Sequence, residues 1–135
     1  MEAKLLLIVD PQIDFISGSL VVPGAVKAMD GLSKYVEENS KNYDLIFITA
    51  DWHPITHCSF KENGGEWPMH CVSNTLGAAL YDSIMQQIFE NKVTYKVYTK
   101  GMNSNTQMQI HKFYSLFTFL NYAVLFIKPN NMHNS

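Results

Sequence analysis

The segment 51–71, DWHPITHCSFKENGGEWPMHC, concentrates the residues whose types could do chemistry. It carries the Asp51 carboxylate, the imidazoles of His53, His57 and His70, both cysteines (Cys58 and Cys71) and both tryptophans. Asp51 and His53 are one residue apart, so in extended backbone they point to the same side. His70 can return to them through a loop that contains Gly64 and Gly65. One carboxylate and two imidazoles suit a divalent metal with positions left open for water or substrate. Histidines at a strand end also serve as hydrogen-bonded polar groups. Their joint occurrence in a loop punctuated by Trp, Pro and Gly favours the metal reading. A closed structural zinc site built from Cys58, Cys71 and two histidines is the alternative, but the spacing follows no finger pattern.

These residues must be held by strands. Leu45-Ile46-Phe47-Ile48 is a continuous apolar run leading into Asp51, and Leu5-Leu6-Leu7-Ile8-Val9 leads in the same way into Asp10. Runs without alternation suit parallel strands covered on both faces. A third strand is predicted over 94–99 and ends at Lys100-Gly101. Three strands thus end in Asp10, Asp51 and Lys100, the edge of an open α/β sheet where ligands collect. Between the first two strands, Val26, Met29, Leu32 and Val36 mark one apolar face of a helix over Ala25–Asn39. This order predicts a right-handed βαβ unit. A second helix is predicted over 76–90, with Leu80, Ile84 and Ile88 on one stripe.

Composition sets the class. The sequence of 135 residues is enough for one domain, and at 47% hydrophobic and 16% charged it reads as a folded globular chain. A net charge of −2 gives no electrostatic footprint for nucleic acid. No apolar run is long enough for a bilayer, and no secretion signal opens the sequence, so a cytoplasmic location with reduced thiols is expected.

Four stretches resemble the nicotinamidase/pyrazinamidase branch of the isochorismatase-like cysteine hydrolases. They are LLIVDPQIDFISGSL at 6–20, ITADWHPITHCSF at 48–60, WPMHCVSNTLGA at 67–78 and VYTKG at 97–101. Tyr114-Ser115-Leu116-Phe117 is a weaker match, which takes the resemblance over about residues 3–117. It implies a three-layer α/β/α fold on a parallel sheet, with the domain at 1–117 and a divergent tail at 118–135. It also implies hydrolysis of nicotinamide, or a related small amide, to the acid and ammonia, as in pyridine nucleotide salvage. The resemblance makes Asp10 the base and Lys100 the triad cation. It assigns Asp51, His53 and His70 to a divalent metal (zinc first, iron or manganese otherwise), with His57 as a further candidate. Phe15 and Trp67 become the aromatic walls around a pyridine ring. An isochorismatase-like ether hydrolase fits the metal loop less well.

The resemblance stops after Phe117. The family's nucleophilic cysteine follows the lysine, whereas the last stretch, TFLNYAVLFIKPNNMHNS, contains none. That departure predicts a frameshift, a premature stop or a gene fragment, and a chain with impaired or no turnover. Asn74, where the family usually has glycine, and Ile13 are milder departures. Cys58 and Cys71 are read as small buried hydrophobes. The first strand would lack its further neighbours, which predicts self-association or a homo-oligomer unless the tail covers that edge. A catalytically dead metal- or ligand-binding remnant and a zinc-stabilised interaction module are the competing functions.

Overall fold

The structure is a computed structural model that describes residues 3–106 and the backbone of 122–126. Its elements are β1 (Leu5–Val9), α1 (Ile13–Ile16), α2 (Ala25–Asn39), β2 (Leu45–Asp51), α3 (Asp82–Glu90), β3 (Tyr95–Lys100) and β4 (Tyr122–Phe126). The strands form one sheet in the order β3-β2-β1-β4, and every pairing is parallel. The register sets Leu6 beside Ile46 and Ile8 beside Ile48. These four side chains are fully buried with Met29, Leu32 and Val36 of α2 and Ile84 and Ile88 of α3. Each buried residue of this kind contributes about 1.5–3 kcal/mol relative to exposure. This face is therefore the main clamp between helices and sheet. Leu7 and Val9, on the opposite face of β1, are buried as well. The second helical layer and the Tyr114–Phe117 match lie outside the described residues.

The helix expected over 76–90 is shorter in the structure. Leu76–Ala78 form a single 3₁₀ turn, and α3 starts only at Asp82. The intervening chain is extended because its main chain is used elsewhere. Ala79 accepts from the Ile13 amide, Tyr81 donates to Pro11, and Leu80 bridges to Gln12. A helix there would have to give up these bonds to the loop after β1. Leu80 is consequently packed against the core from that extended segment, while Ile84 and Ile88 keep the helical stripe. The first strand is not an edge, because β4 pairs with β1 from Leu5–Tyr122 to Val9–Phe126. The condition attached to the self-association expectation, coverage by the tail, is met by that strand. Among the described residues the exposed side chains of the sheet lie on β3, where Val97 and Tyr98 are both 42% exposed.

Candidate active site and metal centre

The carboxyl ends of β1, β2 and β3 bring Asp10, Asp51 and Lys100 together. Asp51 and Lys100 are register partners at the end of the β2–β3 ladder. The Lys100 ammonium donates to Asp10 Oδ2 at 2.9 Å and to Asp51 Oδ1 at 2.5 Å. All three residues are buried, with Asp10 at 0% and Lys100 at 3% exposure. At that burial two carboxylates need a cation, since unpaired charge in a low-dielectric site is strongly disfavoured. Asp10 is held at φ 52, in the left-handed region that non-glycine residues rarely adopt. Its amide donates to the Thr49 carbonyl at 3.0 Å, and the Thr49 hydroxyl donates to its Oδ1 at 2.7 Å. The turn after β1 is thus fastened to β2, with the Asp10 carboxylate facing Lys100.

The metal-type ligands converge beside this trio. Asp51, His53 and His70 offer ligand atoms all within 4.8 Å of one another, and all three residues are buried. Asp51 Oδ2 lies 3.5 Å from His53 Nε2. Each of these two histidines has its Nδ1 beside a backbone carbonyl: His53 at 2.8 Å from Gly101, His70 at 2.8 Å from Pro68. A carbonyl only accepts, so both rings carry the proton on Nδ1 and keep the Nε2 lone pair for a metal. This is the outer-shell arrangement that fixes ligand tautomers in metal sites. The donor set fits a divalent ion.

Gly101 makes the His53 contact available. At φ +70, a Cβ on Gly101 would stand 2.4 Å from His53 Cε1, so only glycine lets the ring reach this carbonyl. Cys71, next to His70, is buried in the apolar core. Its amide donates to Asp14 Oδ2 at 2.7 Å, which ties the end of the loop to α1. Asn74, the departure from a family glycine, adopts φ 63, a left-handed conformation that asparagine tolerates better than most residues.

His57 stands outside the three-ligand cluster although its ring centroid is 4.2 Å from that of His53. The Ser59 amide donates to its Nδ1 at 3.2 Å. The Ser59 hydroxyl lies 2.7 Å from the same nitrogen, and Nε2 is buried without a hydrogen bond of good geometry among the described residues. Burial, then the neighbouring His53, push the His57 imidazole below its ordinary pKa, opposed by the Thr106 backbone and the Asp51 carboxylate. Phe15 is fully buried, with its ring 5.6 Å from that of His70. Trp67 is half-buried and anchored through its main chain to Ser59 and Lys61. Cys58 is half-buried, with its amide donating to Ser104 at 2.7 Å. The cluster includes neither cysteine, so the described residues give the alternative zinc site no support.

Three site-supporting residues carry no signal in isolation. Gln12 is fully buried and reads the Asp51 main chain on both sides: its amide accepts from Asp51 N at 2.8 Å and donates to Asp51 O at 2.7 Å. It donates also to Ala78 O at 2.9 Å. Asp14 accepts from Ser19 as well as Cys71. Phe60 is fully buried, with its ring centroid 5.4–5.7 Å from those of His53, His57 and His70. The one available hint was a polar residue placed directly after the Asp10-Pro11 strand end, which is Gln12.

No family model matches the chain. Among curated proteins it is similar to the nicotinamidase of Saccharomyces cerevisiae, 34% identical in an alignment 124 positions long, with 73% of this chain and 56% of the relative covered. Among solved structures it is similar to Pyrococcus horikoshii pyrazinamidase in complex with zinc. The TM-score there is 0.66 at 33% identity, covering 78% of this chain and 55% of the other. The yeast nicotinamidase bound to the inhibitor nicotinaldehyde gives a TM-score of 0.68 at 32% identity, covering 77% and 59%. The chain spans about half the length of the curated relatives it matches, 56% and 54% for the first two. In motifs, sheet and strand-end residues alike, this chain belongs to the nicotinamidase/pyrazinamidase family.

Proposed function

We propose that residues 1–117 carry the acid–base and metal-binding part of an amidohydrolase site for nicotinamide or a similarly flat heteroaromatic amide, in a cytoplasmic setting. The observation that carries this reading is the Lys100 ammonium bridging Asp10 and Asp51 at the edge of the Asp51–His53–His70 cluster. Asp10 is the proton acceptor. Thr49 and Lys100 occupy its two oxygens and hold its orientation, and its burial keeps water from competing for it. Lys100 supplies the cation that favours an anionic nucleophile. Asp51, His53 and His70 would hold a divalent ion, zinc first and iron or manganese otherwise. When bound, that ion lowers the pKa of coordinated water and offers a site for a ring nitrogen. Phe15 and Trp67 form walls for the ring. A flat substrate then costs little side-chain order, because aromatic rotamers are few.

Neither cysteine of the chain is placed as a nucleophile beside Asp10 and Lys100 among the described residues. Of the two cysteines, Cys71 lies in the apolar core and Cys58 in a half-buried turn. Neither stands on a strand-to-helix turn with backbone donors for an oxyanion. Lack of such a donor alone costs about 10²–10³ in rate. Turnover by the 135-residue chain is therefore far below that of a site with its thiol, while binding of metal and ligand is retained.

The test loads the purified chain with zinc, then measures nicotinamide binding by calorimetry and ammonia release beside an Asp10→Ala control. The expected result is zinc-dependent binding, with any ammonia release lost in the control. Absence of both binding and release, or release unaffected by Asp10→Ala, overturns the reading.

A further inference from the structure

We propose that Lys100 is also a positioning residue for the metal site, and that its charge sets how tightly a divalent cation is held there. This rests on the metal reading of Asp51, His53 and His70. Lys100 engages Asp51 through Oδ1, whereas Oδ2 is the oxygen that lies 3.5 Å from His53 Nε2. The lysine thus takes one oxygen of the carboxylate and leaves the other for the ligand cluster. The Asp51 main chain cannot swing to change this. Gln12 holds both its amide and its carbonyl, and the β2–β3 register places Lys100 directly beside it. The same ammonium holds Asp10, which contributes no atom to the cluster.

The charge balance follows. Two carboxylates, Asp10 and Asp51, share the single Lys100 ammonium, buried where salt screens them little. A divalent cation at Asp51 Oδ2 is drawn by both carboxylates and repelled by Lys100. Lys100 therefore prearranges the ligand and at the same time limits its affinity. Asp10 strengthens cation binding from outside the ligand set, because it shares the opposing charge. Metal binding and the Asp10–Lys100 pair are coupled through one carboxylate.

A charge series separates this from a packing role. Zinc affinity is measured by chelator competition at fixed pH and ionic strength for the wild-type chain, Lys100→Met, Lys100→Arg, Asp10→Asn and the Asp10→Asn/Lys100→Met pair. The cobalt-substituted absorption spectrum reports the ligand set, and thermal melting reports the fold. Lys100→Met binds zinc about tenfold more tightly, because a cation a few ångströms from the bound ion is gone. Asp10→Asn binds about tenfold more weakly, Lys100→Arg stays near wild type, and the double variant falls between the two single ones. A purely structural lysine gives the opposite sign for Lys100→Met, looser binding, and that result in a folded variant overturns the proposal. Where Lys100→Met melts below the assay temperature, Asp10→Asn decides: unchanged or tighter binding overturns it. If the wild-type chain binds no zinc, the metal reading fails first and takes this proposal with it.

Discussion

The candidate site has two arms that reach the same place by different means. Asp51 and Lys100 are register partners at the end of the β2–β3 ladder, and Asp10 stands one residue past the β1–β2 ladder, fastened to Thr49. His53 and His70 are borne by the long loop after β2, where an isolated parallel bridge from His53 to Val72 stands in place of a ladder. The His53 Nδ1 meets the Gly101 carbonyl, the His70 Nδ1 meets the Pro68 carbonyl, and the loop end is tied by Asp14 to the Cys71 amide. The strand arm therefore draws its precision from a continuous ladder, and the loop arm from one bridge and separate side-chain contacts. Asp51 belongs to both, with one oxygen on Lys100 and the other beside His53.

Gly101→Ala gives the largest separation of the two arms. Its Cβ would meet the His53 ring at 2.4 Å, so His53 must leave its carbonyl. We expect metal affinity to fall about 10–100-fold, the range for lost outer-shell partners. Stability should fall by about 1–2 kcal/mol from the left-handed strain. Gly64→Ala is the control. Gly64 also has a positive φ of 90, but nothing lies within 4 Å of its would-be Cβ. Chelator competition on both variants should show weaker binding only for Gly101→Ala. Equal effects would mean that the loop is set by general backbone order and not by the His53 contact.

A smaller effect checks that the site is separable from the rest of the fold. Tyr43, whose hydroxyl lies 2.5 Å from that of Tyr35, has its pKa pushed up from 10.0 to about 12 by burial, then by the bond to Tyr35. A raised tyrosine pKa favours the neutral, folded form. The contribution is complete below about pH 10 and is lost as pH rises through about 12. Alkaline melting curves of Tyr43→Phe should therefore lose part of the decline seen in wild type over that window. Zinc affinity at neutral pH should not change. A change in zinc affinity would mean that the site is coupled to the far end of α2.

The difference between the arms also explains what could be read from the sequence. The apolar runs before Asp10 and Asp51 and the β-prone stretch before Lys100 reveal the strand arm, since buried parallel strands need such runs and end where polarity returns. The Asp-x-His spacing gives His53, because extended backbone alternates. The roles of Gln12 and Asp14 were not legible, as each acts on a residue far away in sequence, Gln12 on Asp51 and Asp14 on Cys71, and Phe60 reads as an ordinary apolar residue. The late start of α3 was hidden for the same reason. Residues 79–81 keep helical periodicity but use their main chain to bind Pro11, Gln12 and Ile13. His57 shows the limit of composition. It sits among the ligands in sequence, yet it lies outside the set of ligand atoms gathered within 4.8 Å of one another.

The most direct measurement is a crystal structure of the zinc-loaded chain with anomalous data collected at the zinc edge. The account predicts one strong site bonded to Asp51 Oδ2, His53 Nε2 and His70 Nε2 at about 2.0–2.2 Å, with Lys100 still on Asp51 Oδ1. Zinc held by Cys58 or Cys71, or no ordered zinc between these three residues, would contradict it.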